Sequence, residues 1–165
     1  MMYRNEQPAS QASPMRPVPI VRYAILIARI AFAATLLSAV ADRFGLWGPH
    51  GAHNVAWGDW THFVRYTGIL NPYAPAPLIP VLAGIATALE ILFALALLTG
   101  FQLERASYGA AILFTLFALG MTLGTGIKSP LDASVFTDAA GALLLGVLLT
   151  TLRAAQRPAA MKHQA

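Results

Sequence analysis

Cysteine is absent from this chain of 165 residues. That absence excludes disulfide bonds, thiol redox chemistry, iron–sulfur clusters and thiolate zinc sites within the chain. The sequence also lacks a phosphate-binding glycine loop, a nucleophile elbow and a heme-attachment motif. No common catalytic motif therefore assigns a reaction to this protein.

Charged residues are scarce. They make up 11% of the chain, whereas hydrophobic residues make up 57%, and a typical soluble domain carries about 25% charged residues. This composition predicts a membrane protein whose apolar exterior is covered by lipid. The net charge of +4 comes from bases beside apolar runs, which indicates membrane topology and anionic headgroups rather than a nucleic-acid partner.

Four apolar runs are each about long enough to cross a bilayer as a helix. The short turn after the second run indicates antiparallel neighbours. The sequence therefore predicts an all-α membrane protein, an antiparallel four-transmembrane-helix bundle. We expect residues 1–19 to be a disordered cytoplasmic tail, residues 20–152 the four-helix domain, and residues 153–165 a basic cytoplasmic tail. The four apolar runs of the domain are 20–41, 78–100, 106–127 and 134–152.

A long connection, residues 42–77, separates the first two apolar runs and holds all three tryptophans of the chain. Tryptophan and tyrosine favour the headgroup level of a membrane, so this connection is interpreted as an interfacial loop. Within it, residues 54–70 have the pattern of a short amphipathic helix.

The distribution of basic residues predicts the orientation. With both termini in the cytoplasm, seven bases lie inside and three outside, as the positive-inside rule requires. The expected location is the plasma (inner) membrane, spanned several times. The inside bases are Arg4, Arg16, Arg22, Arg105, Arg153, Arg157 and Lys162, and the outside bases are Arg43, Arg65 and Lys128.

The first apolar run has a second interpretation. Its end, Ala39-Val40-Ala41, matches the small-residue cleavage site of a signal peptide. The run is longer than a typical signal core, which favours an uncleaved membrane span. N-terminal sequencing of the mature protein distinguishes the two.

Three stretches resemble the DoxX family of small four-helix membrane proteins. They include the strings ADRFGLWG, NVAWGDW and GIKSPLD, and they cover residues 37–72, 86–100 and 126–145. The resemblance implies a membrane subunit associated with redox processes, with a membrane oxidoreductase as partner. No cofactor is expected, and quinone is the alternative. It transfers no catalytic residues, because the family has no agreed catalytic motif.

Two charges lie inside the apolar runs, Arg29 in the first and Glu90 in the second. A charge at the bilayer centre costs about 2.5–3.5 kcal/mol on insertion scales, so such residues face the bundle interior and find a partner. Both residues lie about ten positions from the cytoplasmic end of their helix, hence at similar height. The sequence predicts a buried Arg29–Glu90 pair, which either fixes helix register or serves as a proton- or quinone-contacting site.

A second group of polar and aromatic residues falls at the predicted outer mouth of the bundle. Its charges are expected to neutralise one another and to fix the long loop. The alternative is a vestibule for a small ligand. The members of this group are Asp42, Arg43, Trp57, Asp59, Trp60, Lys128, Asp132 and Asp138.

Three histidines of the long connection, His50, His53 and His62, raise the question of a metal site. The first two lie in a glycine-rich loop without a helical face to align them, and a fourth ligand is missing, so no metal is expected. Small residues spaced by four, Gly120 with Gly124 and a stripe through Asp138, are interpreted as helix-packing faces.

Three hypotheses for function follow. The first is a non-catalytic DoxX-like subunit that supports a redox partner or the quinone pool. The second is a carrier for a small solute, with Glu90 coupled to protons and a homo-oligomer supplying enough helices. The third is a structural or stress-response membrane protein whose loop binds another protein.

Overall fold

The structure is a computed structural model that describes residues 19–156. These residues form α-helices joined by turns and one 3₁₀ helix, and no strand occurs among them. Four helical segments are long and apolar enough to cross a membrane: Pro19–Arg43, Ala76–Thr99, Leu103–Thr125 and Val135–Gln156. The predicted all-α class with four such helices is confirmed. The helices are α1 (Pro19–Arg43), α2 (Trp60–Leu70), α3 (Ile79–Thr99), preceded by the 3₁₀ helix Ala76–Leu78, α4 (Leu103–Thr125), α5 (Lys128–Asp132) and α6 (Val135–Gln156).

The ends of the long helices follow local rules. α3 ends at Gly100, which adopts the left-handed conformation with a φ of 79° and donates its N–H to the carbonyl of Ala96. Glycine reaches that conformation without steric cost, so it ends the helix at the last residue of the predicted run 78–100. α4 ends at Gly126, which donates its N–H to the carbonyl of Thr122 but has a φ of 91° and a ψ of 158°, outside the left-handed helical region.

Several helix boundaries differ from the predicted runs. α1 continues through Asp42 and Arg43, beyond the predicted run 20–41, because both side chains find buried partners inside the fold. The segment between the predicted runs 106–127 and 134–152 contains the short helix α5. Pro130 lies in its first turn, where a backbone N–H has no partner within the helix in any case.

The terminal tails fall largely outside the described part of the chain. Residues 1–18 and 157–165 are not described. The predicted basic tail begins as helix, since α6 continues to Gln156.

The long helices pack in a chain of neighbours: α1 on α3, α3 on α4, and most extensively α4 on α6. Alanine dominates the buried core, with Leu36, Leu97 and Phe114 filling the larger spaces. Small residues bring aromatic rings close: a Cβ at Gly109 would lie 2.4 Å from the Phe93 ring. Such contacts are typical of membrane helices, which associate by close packing.

The short helix α2 packs against the bundle rather than standing apart from it. Its buried face carries Phe63 and Thr67. Its C-terminal end lies against α4, where a Cβ on Gly124 would come within 2.3 Å of the Ile69 carbonyl oxygen and one on Gly120 within 3.7 Å of the Leu70 Cβ. The interpretation of this glycine pair as a packing face is thereby confirmed.

Candidate functional site

A buried ion pair joins the end of α1 to the middle of α3. The Arg43 guanidinium donates through Nη1 and Nη2 to the two carboxylate oxygens of Glu90, and the Nη2–Oε1 distance is 2.7 Å. Arg43 is 2% exposed and Glu90 1% exposed. Nη1 also donates to the Thr87 hydroxyl at 2.7 Å. Two parallel hydrogen bonds give this pair both strength and a fixed geometry.

The predicted Arg29–Glu90 pair is therefore wrong: the partner of Glu90 is Arg43. The prediction compared the heights of Cα atoms, but side chains on a helix lean toward its N-terminus. The long Arg43 side chain accordingly reaches back from the end of α1 into the bundle.

Arg29 serves the opposite end of α3. Its Nε donates to the Leu97 carbonyl at 2.7 Å and its Nη2 to the Leu98 carbonyl at 2.9 Å. The last carbonyls of a helix have no partner within the helix, and a basic side chain there satisfies them and complements the helix dipole. Arg29 thus closes the C-terminal end of α3.

Aromatic rings cover the Arg43 guanidinium. Its Cζ lies 3.7 Å from the centre of the Phe63 ring and 5.2 Å from that of Trp57. The two rings meet edge to face, with centres 5.1 Å apart. Nε of Arg43 is buried without a hydrogen-bond partner among residues 19–156. Attraction between a cation and aromatic faces adds to the ion pair at a site shielded from water.

The neighbouring residue, Asp42, holds the loop that follows α1. Its carboxylate accepts backbone N–H groups from Ala56 at 2.9 Å, Trp57 at 3.1 Å and Gly58 at 3.3 Å. Asp42 is 6% exposed. The predicted fixing of the loop by a charged residue is thus accomplished by Asp42 through backbone amides, whereas the expected role of Arg43 in neutralising the outer acids is replaced by its bond to Glu90.

Gly58 permits the loop to close tightly. It has a φ of 72°, and a Cβ at this position would lie 2.2 Å from the backbone nitrogen of His50. Only glycine fits such a close approach of two backbone segments. The loop from α1 to α2 is therefore a compact cover and not a loose connection.

A cleft of about 430 Å³ lies between the last turns of α1 and this loop. The α1 side contributes small and polar residues, and the loop contributes two indole rings and an imidazole. The lining residues are Thr35, Ser38, Ala39, Asp42, Trp47, His53, Asn54, Ala56 and Trp57.

Asp59 and Trp60 begin α2. The Asp59 carboxylate accepts the backbone N–H of His62 at 2.9 Å and its ring Nδ1–H at 2.7 Å. These hydrogen bonds, first the backbone one, lower the pKa of Asp59 below its ordinary value. Trp60 stacks on Phe44 with ring centres 6.1 Å apart. Asp59 is thus the N-cap of α2, and Trp60 packs the first turn of α2 against Phe44.

The remaining acids of the predicted outer group do not join the ion pair. Lys128 and Asp132 bond to each other within α5, and both are exposed. Asp138, in the first turn of α6, is half-buried, and no hydrogen bond or ion pair engages its carboxylate within the described chain. The predicted group therefore separates into four places: the Arg43 site with Asp42 and Trp57, the start of α2, the α5 pair and Asp138.

The three histidines do not converge on one point. The rings of His50 and His62 stack with centres 3.5 Å apart, and Nδ1 of His50 donates to the Trp57 carbonyl at 3.0 Å. His53 lines the cleft instead. No group of three or more metal-ligating side chains occurs within residues 19–156.

Sequence reasoning missed Thr87 and Phe63 as parts of the site. Thr87 lies one turn before Glu90 on the same face of α3. This spacing indicated that its hydroxyl could accept a second hydrogen bond from the partner of Glu90. Phe63 had no comparable signal, because its position over Arg43 depends on how α2 docks.

Comparison of the chain with protein-family models, with curated proteins and with solved structures finds no match.

Proposed function

We propose that this chain is a DoxX-like integral membrane protein, a non-catalytic subunit that supports a redox or quinone-linked process in the plasma membrane. The observation that carries the proposal is that both buried carboxylates, Glu90 and Asp42, are hydrogen-bonded to groups of the fold itself. Arg43, Glu90 and Thr87 bond to one another, and Asp42 is bonded to loop amides.

Charged residues that are bonded in this way are suited to holding helices together and not to catalysing a reaction. A catalytic acid or base has to reach a substrate proton at hydrogen-bond distance, but both carboxylate oxygens of Glu90 are bonded to the Arg43 guanidinium. Breaking such a buried pair is costly, so it is suited to holding helices in register. The DoxX resemblance supplies the redox context of the proposal.

The proposed arrangement in the membrane is antiparallel, with both termini in the cytoplasm and the long interfacial loop outside. It is supported by the excess of bases in the segments assigned to the cytoplasm. The three-residue turn from Gly100 to Gln102 between α3 and α4 fits neighbours of opposite direction.

The lack of cysteine makes this topology directly testable, because a single introduced thiol is the only one in the chain. Ala133 and Phe101 are exposed and lie in turns proposed to face opposite sides. We expect an impermeant maleimide to label Ala133→Cys in intact cells and Phe101→Cys only after permeabilisation. The reverse pattern would contradict the orientation.

The functional proposal is tested by native mass spectrometry of the complex purified in mild detergent from its own membrane. We expect a co-purified oxidoreductase, quinone, or both. A strain without this protein should show lower activity of that oxidoreductase in its membranes. Returning the unmodified chain should restore the activity, and the control variant Glu104→Gln should restore it equally well. Purification of the chain alone, with no effect of deletion on membrane redox activity, would refute the proposal.

A proton-coupled carrier is the second candidate, favoured by Asp138. This carboxylate is half-buried in an apolar helix and has no polar partner in the described chain, and intramembrane acids commonly mark ion pathways. Four helices are few for a carrier, so a homo-oligomer is part of this candidate. Proton-driven solute uptake in vesicles, lost in Asp138→Asn and kept in Asp132→Asn, would favour it over the first.

A further inference from the structure

The group of charges beside the cleft carries an excess of one negative charge. Asp42 and Glu90 contribute two negative charges, and Arg43, bonded to Glu90, contributes one positive charge. Asp42 has amide partners but no cationic partner within the described chain. It also lies in the last turn of α1, where the helix dipole adds partial negative charge. Amide bonds disperse the Asp42 charge without neutralising it.

Two indole rings border the same cleft. Trp47 is 62% exposed, yet its Nε1–H donates to the Ser38 carbonyl at 3.0 Å, so the ring is held against α1. Trp57 is half-buried on the other side, with its backbone N–H bonded to Asp42. The Trp57 ring already lies 5.2 Å from the Arg43 Cζ, so Trp47 is the ring of the cleft without a cation of the described chain over it, and it lines the same cleft as the Asp42 carboxylate.

A carboxylate beside fixed aromatic faces is the combination that recognises organic cations. We propose that this cleft binds an alkylammonium group, either the headgroup of a zwitterionic lipid or a small free ammonium compound. The cleft volume of about 430 Å³ lies in the range of small-molecule sites, roughly 300–1,000 Å³. An anion is disfavoured by Asp42, and a metal ion would have to displace the amides that its oxygens accept. This inference does not depend on the redox proposal.

The test uses the intrinsic fluorescence of the purified full chain in dodecyl maltoside, a detergent without an ammonium group. All three tryptophans lie in residues 47–60, so the signal reports on this loop. Choline chloride is titrated against sodium chloride of equal concentration. Its uncharged carbon analogue, 3,3-dimethylbutan-1-ol, is the matched ligand control. We expect a saturable fluorescence change with choline, with an apparent Kd at least tenfold lower than that of the analogue.

Variants assign the change to the cleft. Trp47→Leu removes an exposed ring. Asp42→Asn removes the charge and keeps one of the two oxygen acceptors that the three amides use. Trp47→Leu should weaken choline binding by about 2- to 30-fold, the range for a single cation–aromatic contact, and Asp42→Asn should weaken it as well. Asp132→Asn, at the exposed α5 pair, should leave binding unchanged. Because Trp47 is exposed, its variant stays informative even if Asp42→Asn does not fold.

A lipid arm distinguishes the two sources of the ammonium group. The chain is reconstituted with equal amounts of phosphatidylcholine and phosphatidylglycerol, and the retained lipids are identified by native mass spectrometry. Preferential retention of phosphatidylcholine, reduced in Trp47→Leu, without a response to free choline, assigns a headgroup site. A response to free choline assigns a soluble ligand. Equal retention of both lipids together with no choline response overturns the proposal.

Discussion

Arg29 and Arg43 lie on the same helix and both reach α3, yet they meet different chemistry there. Arg43 ends in a sealed site, with a carboxylate, a hydroxyl and two aromatic rings around its guanidinium. Arg29 ends on two backbone carbonyls at a half-buried helix terminus. We refer to these two parts of the molecule as the Arg43 end and the Arg29 end.

The difference teaches where to look for the partner of a charged residue in an apolar helix. Because side chains lean toward the N-terminus of their helix, the partner lies on a neighbouring helix about one turn in that direction. At the Arg29 end the acceptors are the last backbone carbonyls of a helix, which every helix offers, so the contact requires no particular residue type on α3. At the Arg43 end, a specific acid has to be present, and α2 has to cover the pair. Substitutions should therefore be far more damaging at the Arg43 end.

Replacing Glu90 by Gln is expected to have the largest effect. It leaves the Arg43 charge buried without a counter-charge, which should lower the free energy of unfolding by about 3–5 kcal/mol. Unfolding in mixed micelles with increasing dodecyl sulfate measures the change. Glu104→Gln is the matched control and should shift the midpoint much less, because Glu104 is only half-buried and its partner Arg153 is exposed.

The double variant Arg43→Leu with Glu90→Leu sharpens the same point. If the single variant suffers from an unpaired charge, removing both charges should recover most of the lost stability. A double variant as unstable as Glu90→Gln would show that packing, and not charge, dominates the Arg43 end.

The contact between α2 and α4 should give the next largest effect. Ala at position 124 would place its Cβ 2.3 Å from the Ile69 carbonyl oxygen, so α2 has to move. We expect Gly124→Ala to cost about 1–3 kcal/mol, together with faster hydrogen exchange in α2. Gly84→Ala, on α3 with no atom within 4 Å, is the control and should be neutral or slightly stabilising.

Arg29→Met tests the Arg29 end. It keeps the apolar stem but removes the two bonds to the carbonyls of Leu97 and Leu98, so the expected loss is about 1 kcal/mol. The same dodecyl sulfate titration measures it. A loss as large as that of Glu90→Gln would erase the contrast between the two ends.

The smallest effect is expected at Asp59, the cap of α2. Hydrogen bonds lower its pKa in the folded state, so the unfolded state binds the proton more readily. The contribution of this cap is therefore fully present above the ordinary aspartate pKa of about 4 and is lost as pH falls through the lowered value. We expect amide protection in α2 to drop a few-fold in that window and this pH dependence to disappear in Asp59→Asn.

Much of the helical architecture was predictable because it depends on local sequence. The apolar runs and Gly100 give the spans and the end of α3 directly, since length and backbone conformation are local properties. The burial of Glu90 was also predictable, because hydrocarbon disfavours a lone carboxylate.

The partner of Glu90 was not predictable from position alone. Arg43 looked like a surface residue after the span, and only the direction of its side chain and the docking of α2 place it inside. The role of Asp42 had no signal either, because its partners are backbone amides of Ala56, Trp57 and Gly58, which every residue type except proline offers. Such features depend on tertiary contacts and not on residue type.

The ion pair joins residues that are 47 positions apart in the chain. During synthesis Arg43 therefore emerges well before the carboxylate with which it pairs. Neither α1 nor α3 can complete its buried contacts until both have been made. A chain whose synthesis stops between them leaves Arg43 without its counter-charge.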